Sequence, residues 1–115
     1  MPMLDWNNYR TQIIAGVSDF AKLSPDTVRG YSMLNGAGHK TGTLDAKTRE
    51  LISLAVAISL RCDGCITSHV EAAIKLGATR EEVAEALGVA VAMNAGATII
   101  YATRTLDAYT ETQRV

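Results

Sequence analysis

The chain has 115 residues, close to half of them apolar, and a formal net charge of −1. That length suits one domain with a real core and is short for two ordinary ones. Acids and bases are interspersed in near balance, so no basic field invites nucleic acid or an anionic membrane as partner.

In chain order, the N-terminal stretch MPMLDWNNYRTQ has no basic run followed by an apolar block, so no signal peptide is read there. From about Asp5 to Lys22, Trp6, Tyr9, Ile13, Val17 and Phe20 recur at helical spacing and predict an amphipathic first helix. Ser24-Pro25 is a helix start, with serine as cap and proline in the first turn, where its missing N–H had no partner. This second helix is expected to end near Leu34, because NGAGHKTGT, Asn35 to Thr43, reads as a glycine-rich loop.

Asp45 offers an oxygen to cap a third helix over about Ala46 to Leu60. Its segment LISLAVAISL is apolar nearly all round and predicts a central helix buried on most sides. A fourth helix begins at Cys62, runs to about Leu76 and stops at Gly77, a residue suited to a left-handed C-terminal position. Thr79 and Glu82 form a capping box for a fifth helix. The rest stays helical to about Tyr109, with a break expected near Asn94–Gly96. No strand pattern appears, so an all-α single compact domain of five or six helices is expected.

The uncharged run from Ala86 to Tyr101, and on to Thr103, approaches membrane-spanning length. It is rich in Ala and Gly, carries Asn94 and Gly96, and lacks the leucine density of a span. A soluble cytoplasmic protein without a membrane partner is the expectation. Ala90, Ala92, Ala95 and Ala97, with Gly88 and Gly96, permit close helix approach, and so short a chain buries a modest fraction of its surface alone. These features predict a homo-oligomer.

The stretch RCDGCITSH, Arg61 to His69, holds both cysteines. In a reducing cytosol a two-cysteine chain is not held together by its disulfide, and a CxxC loop is too short to restrain the unfolded chain much. At about 100° per residue from Cys62, Cys65 lies about 300° round and His69 about 340°, so the three share one stripe of a helix. Cys65 and His69 are neighbours at i, i+4. Unpaired N–H groups and the helix dipole in the first turn favour the thiolate, the reactive form of cysteine, and an imidazole one turn on can accept the thiol proton. This geometry points to Cys65 as the thiol activated by His69, with Cys62 as its disulfide partner.

Other readings of the same residues stay open. Cys62, Cys65 and His69 supply three possible zinc ligands where a structural site needs four, and the other histidine, His39, lies in the preceding glycine-rich segment. Two buried thiols beside a satisfied histidine are the bland alternative. A thioredoxin fold is disfavoured because no βαβ context is present. Glu50, taken by itself, reads as an exposed carboxylate near a helix N-terminus.

The ordered pattern Glu50, Cys62-Asp63-Gly64-Cys65, His69 resembles the signature of the carboxymuconolactone decarboxylase / alkylhydroperoxidase-D family. LDAKTRELISLAVAIS before the cysteines and HVEAAIKLGATREEVAEALGVAVAM after them are similar too, so the likeness spans roughly Leu44 to Tyr109. The resemblance implies an alkylhydroperoxidase-D-like helical bundle assembled as a trimer or hexamer. It also implies a cofactor-free, metal-free thiol peroxidase or thiol–disulfide oxidoreductase. In that scheme Cys65 attacks a hydroperoxide or disulfide substrate, Cys62 resolves, His69 is the base, Glu50 is the relay acid, and an external dithiol reduces the product. One departure is Gly64, where the peroxidases often carry a second histidine. The family's other branch implies a non-redox lyase on a small carboxylated lactone, for which no CxxC is needed.

Overall fold

The computed structural model describes residues 1–114 and contains five helices, with no strand among them. They are α1 (Trp6–Leu23), α2 (Pro25–Thr41), α3 (Ala46–Leu60), α4 (Asp63–Lys75) and α5 (Arg80–Gln113). Asp5 caps α1 by accepting from the Asn8 N–H at 3.2 Å, and Asp45 caps α3 by accepting from the Thr48 N–H at 2.7 Å. Ser24 sits at the cap position of α2, but its hydroxyl bonds the Thr27 hydroxyl at 2.7 Å and makes no bond to the backbone.

Two predicted boundaries move. α2 runs on to Thr41 and ends at Gly42, in the left-handed conformation at φ 63°. Gly38 in its last turns serves close approach, because a Cβ there would stand 2.6 Å from the Arg49 Cδ. Arg49 crosses this turn and donates to the His39 Nδ1 at 3.2 Å and to the Leu44 carbonyl at 2.5 Å, so a contact from α3 holds as helix what composition reads as loop. The break expected near Asn94–Gly96 is also absent. The Asn94 amide donates to the Ala90 carbonyl of its own helix at 2.7 Å and to the Ser59 Oγ at 2.8 Å, so the polar side chain is satisfied without opening the helix.

The helices α3 and α5 run parallel in constant register. Lys47 pairs with Glu82 at 2.8 Å near their starts and Ser59 with Asn94 near the end of α3, each pair 35 residues apart in sequence. α4 packs on α3, and α1 packs on α4 and α2. Arg10 joins α1 to α4 by an ion pair to Glu71 at 3.0 Å and a hydrogen bond to the Thr67 Oγ1 at 3.1 Å; that hydroxyl in turn donates to the Trp6 carbonyl at 3.2 Å. Thr67 is the one buried polar residue among those described, and these partners satisfy it.

The buried apolar core is small: Leu54, Ala57, Ala73 and Ala90. Central burial of α3 on most sides is not what the structure has. Leu54 and Ala57 face the core, but Ile52, Val56 and Leu60 are 48%, 50% and 72% exposed, because α4 and α5 leave one side of α3 open. The expected compact shape is also absent. The radius of gyration is 18.8 Å, against roughly 13 Å for a compact domain of this length. The cause is α5: the constant register sets Leu60, the last residue of α3, opposite Ala95, so residues 96–113 extend beyond it.

The Lys47–Glu82 pair has a pH consequence. Its hydrogen bond from Lys47, with the Thr79 backbone N–H, holds the Glu82 carboxyl below its ordinary value of 4.5, and the Thr48 N–H does the same for Asp45. A carboxyl depressed in the folded state stabilises above its unfolded value, and that stability is lost as pH falls through the folded value. Glu82→Gln is therefore predicted to flatten the decline in urea midpoint below pH 4.5. Equal acid slopes in wild type and variant would show that the pair contributes nothing.

Candidate active site

The site is built where α3 turns into α4 with almost no connecting loop. Arg61 takes a left-handed conformation at φ 56°, its N–H bonds the Ile58 carbonyl at 3.2 Å, and the Cys62 N–H bonds the Ala57 carbonyl at 3.0 Å. This is the paired closure of a Schellman motif. Gly77 does the same at the end of α4 with φ 83°, its N–H on the Ile74 carbonyl and that of Ala78 on the Ala73 carbonyl, each at 3.0 Å. There glycine removes the steric cost that Arg61 bears.

Cys62, the residue that closes α3, is also the N-cap of α4, and its sulfur accepts from the Cys65 N–H at 3.2 Å. The two cysteines are joined in a disulfide. A sulfur at this position meets the first-turn N–H groups that stabilise negative charge once the bond is reduced.

His69 stands one turn beyond Cys65. Its Nδ1 lies 2.6 Å from the Glu50 Oε2 on α3, with the two side chains 21% and 20% exposed. An ionised carboxylate only accepts, so the ring carries its proton on Nδ1 and keeps a lone pair on Nε2. That nitrogen is free to take a proton from a thiol. Cys65 and His69 together line two clefts. The larger, about 600 Å³, is walled by α1 and α2 through Ile13, Val17, Phe20, Val28 and Tyr31. The smaller, about 260 Å³, is walled by Ile52, Val56 and Leu60 of α3. Cys62 lines neither, though both cysteines are half-buried.

The structure brings Glu50 to His69, joins Cys62 to Cys65, and sets Cys65 and His69 in the walls of the same two clefts. His39 is not among them; its ring is held by Arg49 near the end of α2. Among the described residues no three His, Cys, Asp or Glu side chains converge as a metal would require. The missed feature is the cleft wall. The apolar face of α1 reads as a core face, yet Val17 and Phe20 are 47% and 50% exposed. Gly64 lies beneath α1, where a Cβ would meet the Ile13 Cδ1 at 3.5 Å, an ordinary van der Waals contact.

The sequence profile of the carboxymuconolactone decarboxylase family matches residues 25–108. The chain belongs to that family. A protein of Haemophilus influenzae, named only as uncharacterised, is 43% identical over 105 residues, covering 91% of this chain and 93% of its own. "Uncharacterized protein 4 in cox locus" of Paracoccus denitrificans is 45% identical over 65 residues, 56% of this chain and 59% of its own. The crystal structure of an apo carboxymuconolactone decarboxylase family protein from Legionella pneumophila is similar at TM-score 0.72 and 40% identity, covering 92% of this chain and 95% of that one. The family's all-helical architecture is the one this chain adopts.

If the imidazole receives the thiol proton, removing it slows thiolate formation. His69→Ala is predicted to lower the alkylation rate of reduced Cys65 by iodoacetamide near neutral pH by about tenfold, the effect of raising a thiol pKa by one. Glu50→Gln is predicted to move the pH–rate profile the same way by less. A rate unchanged in His69→Ala would remove the histidine from any relay.

Proposed function

We propose that this chain is a cofactor-free dithiol peroxidase, with thiol–disulfide exchange as its reductive half. The observation that carries the reading is the Glu50–His69 contact in a cleft wall that His69 shares with Cys65, the partner of Cys62 in the disulfide. His69 Nε2 takes the Cys65 proton. The thiolate attacks the terminal oxygen of a hydroperoxide; an S–O bond forms, the O–O bond breaks, and the alcohol leaves with the proton returned by the imidazolium. Cys62 then attacks the sulfenic sulfur. The S–S bond forms, the S–O bond breaks, and water leaves. The product is the disulfide this structure contains. An external dithiol restores both thiols by exchange, as a reducing cytoplasm would supply.

The apolar lining of the larger cleft supports an organic hydroperoxide over hydrogen peroxide, since burying an apolar substituent against Ile13, Val17 and Phe20 adds binding that the smaller oxidant cannot use. One histidine serves the thiol, because position 64 is glycine. A general base contributes roughly 10²–10⁴-fold, so the single base sustains turnover.

The test is hydroperoxide consumption with a dithiol reductant. Cys65→Ser is predicted to abolish turnover. Cys62→Ser is predicted to consume one equivalent and stop at a sulfenic acid that a 1,3-dicarbonyl reagent traps on Cys65. Turnover that survives Cys65→Ser sinks the peroxidase reading. An activity on a carboxylated lactone that survives replacement of both cysteines would establish the lyase branch instead.

A further inference from the structure

The two clefts that share Cys65 and His69 differ in one polar group. Ser68 lines the larger and not the smaller. It is half-buried, and its hydroxyl has no hydrogen-bond partner among the described residues. The oxygen is open to the cleft and not sealed, since no fully buried side-chain oxygen among those residues lacks a partner. The other half-buried serines are engaged: Ser24 bonds the Thr27 hydroxyl at 2.7 Å, and Ser53 donates to the Arg49 carbonyl at 2.9 Å. Ser53 is the serine of the smaller cleft, so that cleft offers no uncommitted hydroxyl. Serine and threonine inside helices often bond the carbonyl four residues back, as Ser53, Ser59, Thr98 and Thr110 do here. Ser68 makes no such bond.

The helix that carries the thiol also sets the position of this hydroxyl. Cys65 and Ser68 stand at i, i+3 on α4, a spacing that leaves Cβ atoms about 5–6 Å apart on one side of a helix. His69 follows at i+4. That spacing suits a substrate with two linked oxygens, one at the sulfur and the next toward the turn that holds Ser68 and His69. The other hydroxyls of the larger cleft, Thr27 and Tyr31, belong to α2; Thr27 is the partner of Ser24, and Tyr31 is 58% exposed.

Resting on the peroxidase reading, we propose that Ser68 is a further catalytic residue, which donates a hydrogen bond to the leaving oxygen of the hydroperoxide. As the Cys65 thiolate attacks the outer oxygen, the S–O bond forms, the O–O bond breaks, and its electron pair passes to the inner oxygen. That oxygen takes the proton held by the His69 imidazolium and leaves as the alcohol. The Ser68 proton stays on Ser68. The hydroxyl acts while charge develops on the oxygen, as a donor in an oxyanion hole does. With glycine at position 64, one imidazole serves both the thiol and the leaving group, and a neutral donor beside it shares the second task. The hydroperoxide then reacts in the larger cleft.

The test compares reduced wild type and Ser68→Ala in single turnover with tert-butyl hydroperoxide and with peracetic acid, following thiol loss by quenched flow. tert-Butoxide is a strongly basic leaving group and acetate a weakly basic one, so the first needs the donor far more. Ser68→Ala is predicted to slow the reaction with tert-butyl hydroperoxide about tenfold, the lower end for a hydrogen bond to a charged oxygen, and that with peracetic acid less than about twofold. Alkylation of reduced Cys65 by iodoacetamide has no oxygen leaving group. Its rate is predicted to be the same in variant and wild type across pH, as is helicity by circular dichroism. Equal slowing with both oxidants would give Ser68 a merely architectural part. Slowed alkylation would make it a partner of the thiolate, and an unchanged rate with tert-butyl hydroperoxide would remove it from the reaction. Each of these overturns the proposal and leaves the peroxidase reading standing. Wild type that tert-butyl hydroperoxide does not oxidise overturns both together.

Discussion

The structure depends on one tight reversal, the passage from α3 to α4 through Arg61 and Cys62. One residue closes one helix and opens the next. Its N–H satisfies an orphan carbonyl of α3, and its sulfur accepts from the Cys65 N–H in the first turn of α4. With no loop to absorb slack, the relative placement of the two helices is fixed by backbone hydrogen bonds. That placement lets Glu50, two turns before the core residue Ala57, reach His69, two turns into α4. Arg61 holds a conformation that costs a non-glycine side chain about 1–2 kcal/mol, which the bonds of the turn offset.

Favourable influences then act on each sulfur of the pair: the first-turn N–H of Cys65 on the Cys62 sulfur, and the His69–Glu50 pair one turn beyond Cys65. The first-turn N–H groups and dipole contribute on the order of 0.3–1 kcal/mol each toward negative charge. The imidazole can take the proton, and the carboxylate orients the ring and stabilises it when charged. Because Glu50 and His69 are mostly shielded but not sealed, their attraction is screened less than that of a surface pair and avoids the full desolvation cost of a buried one.

Much of this was legible in the sequence, and for local reasons. The Asp45 cap, the Thr79–Glu82 box, the stop at Gly77 and the neighbouring of Cys65 and His69 at i, i+4 are all properties of residues within a turn or two of each other. What was not legible came from afar. Gly38 reads as loop because nothing nearby shows that Arg49 lies across it. Asn94 reads as a break because its partner Ser59 belongs to another helix. Glu50 reads as surface charge until the 2.6 Å contact to His69 is seen, and only the family resemblance assigned it a role beforehand. The wall formed by Ile13, Val17 and Phe20 has the periodicity of a core face, and periodicity does not say whether an apolar face meets protein or stays open.

The openness of the chain and its chemistry fit one another. A dithiol that cycles must admit two unlike reactants at the same sulfur, first an oxidant small enough to enter a cleft and then a reductant that approaches a disulfide. A site sunk in a tight core would admit the first and exclude the second. Here Cys65 lies between two clefts, and the four-residue apolar core is drawn largely from small side chains on α3, α4 and α5. Such a core supplies little stability alone, because hydrophobic stabilisation scales with the apolar area removed from water. Surface left bare on α5 and along α3 is where the missing burial can be found, on elements that also hold the site. Core, cleft and carboxylate meet on α3, whose inner side carries Leu54 and Ala57, whose open side carries Val56 and Leu60, and whose Glu50 bonds the histidine.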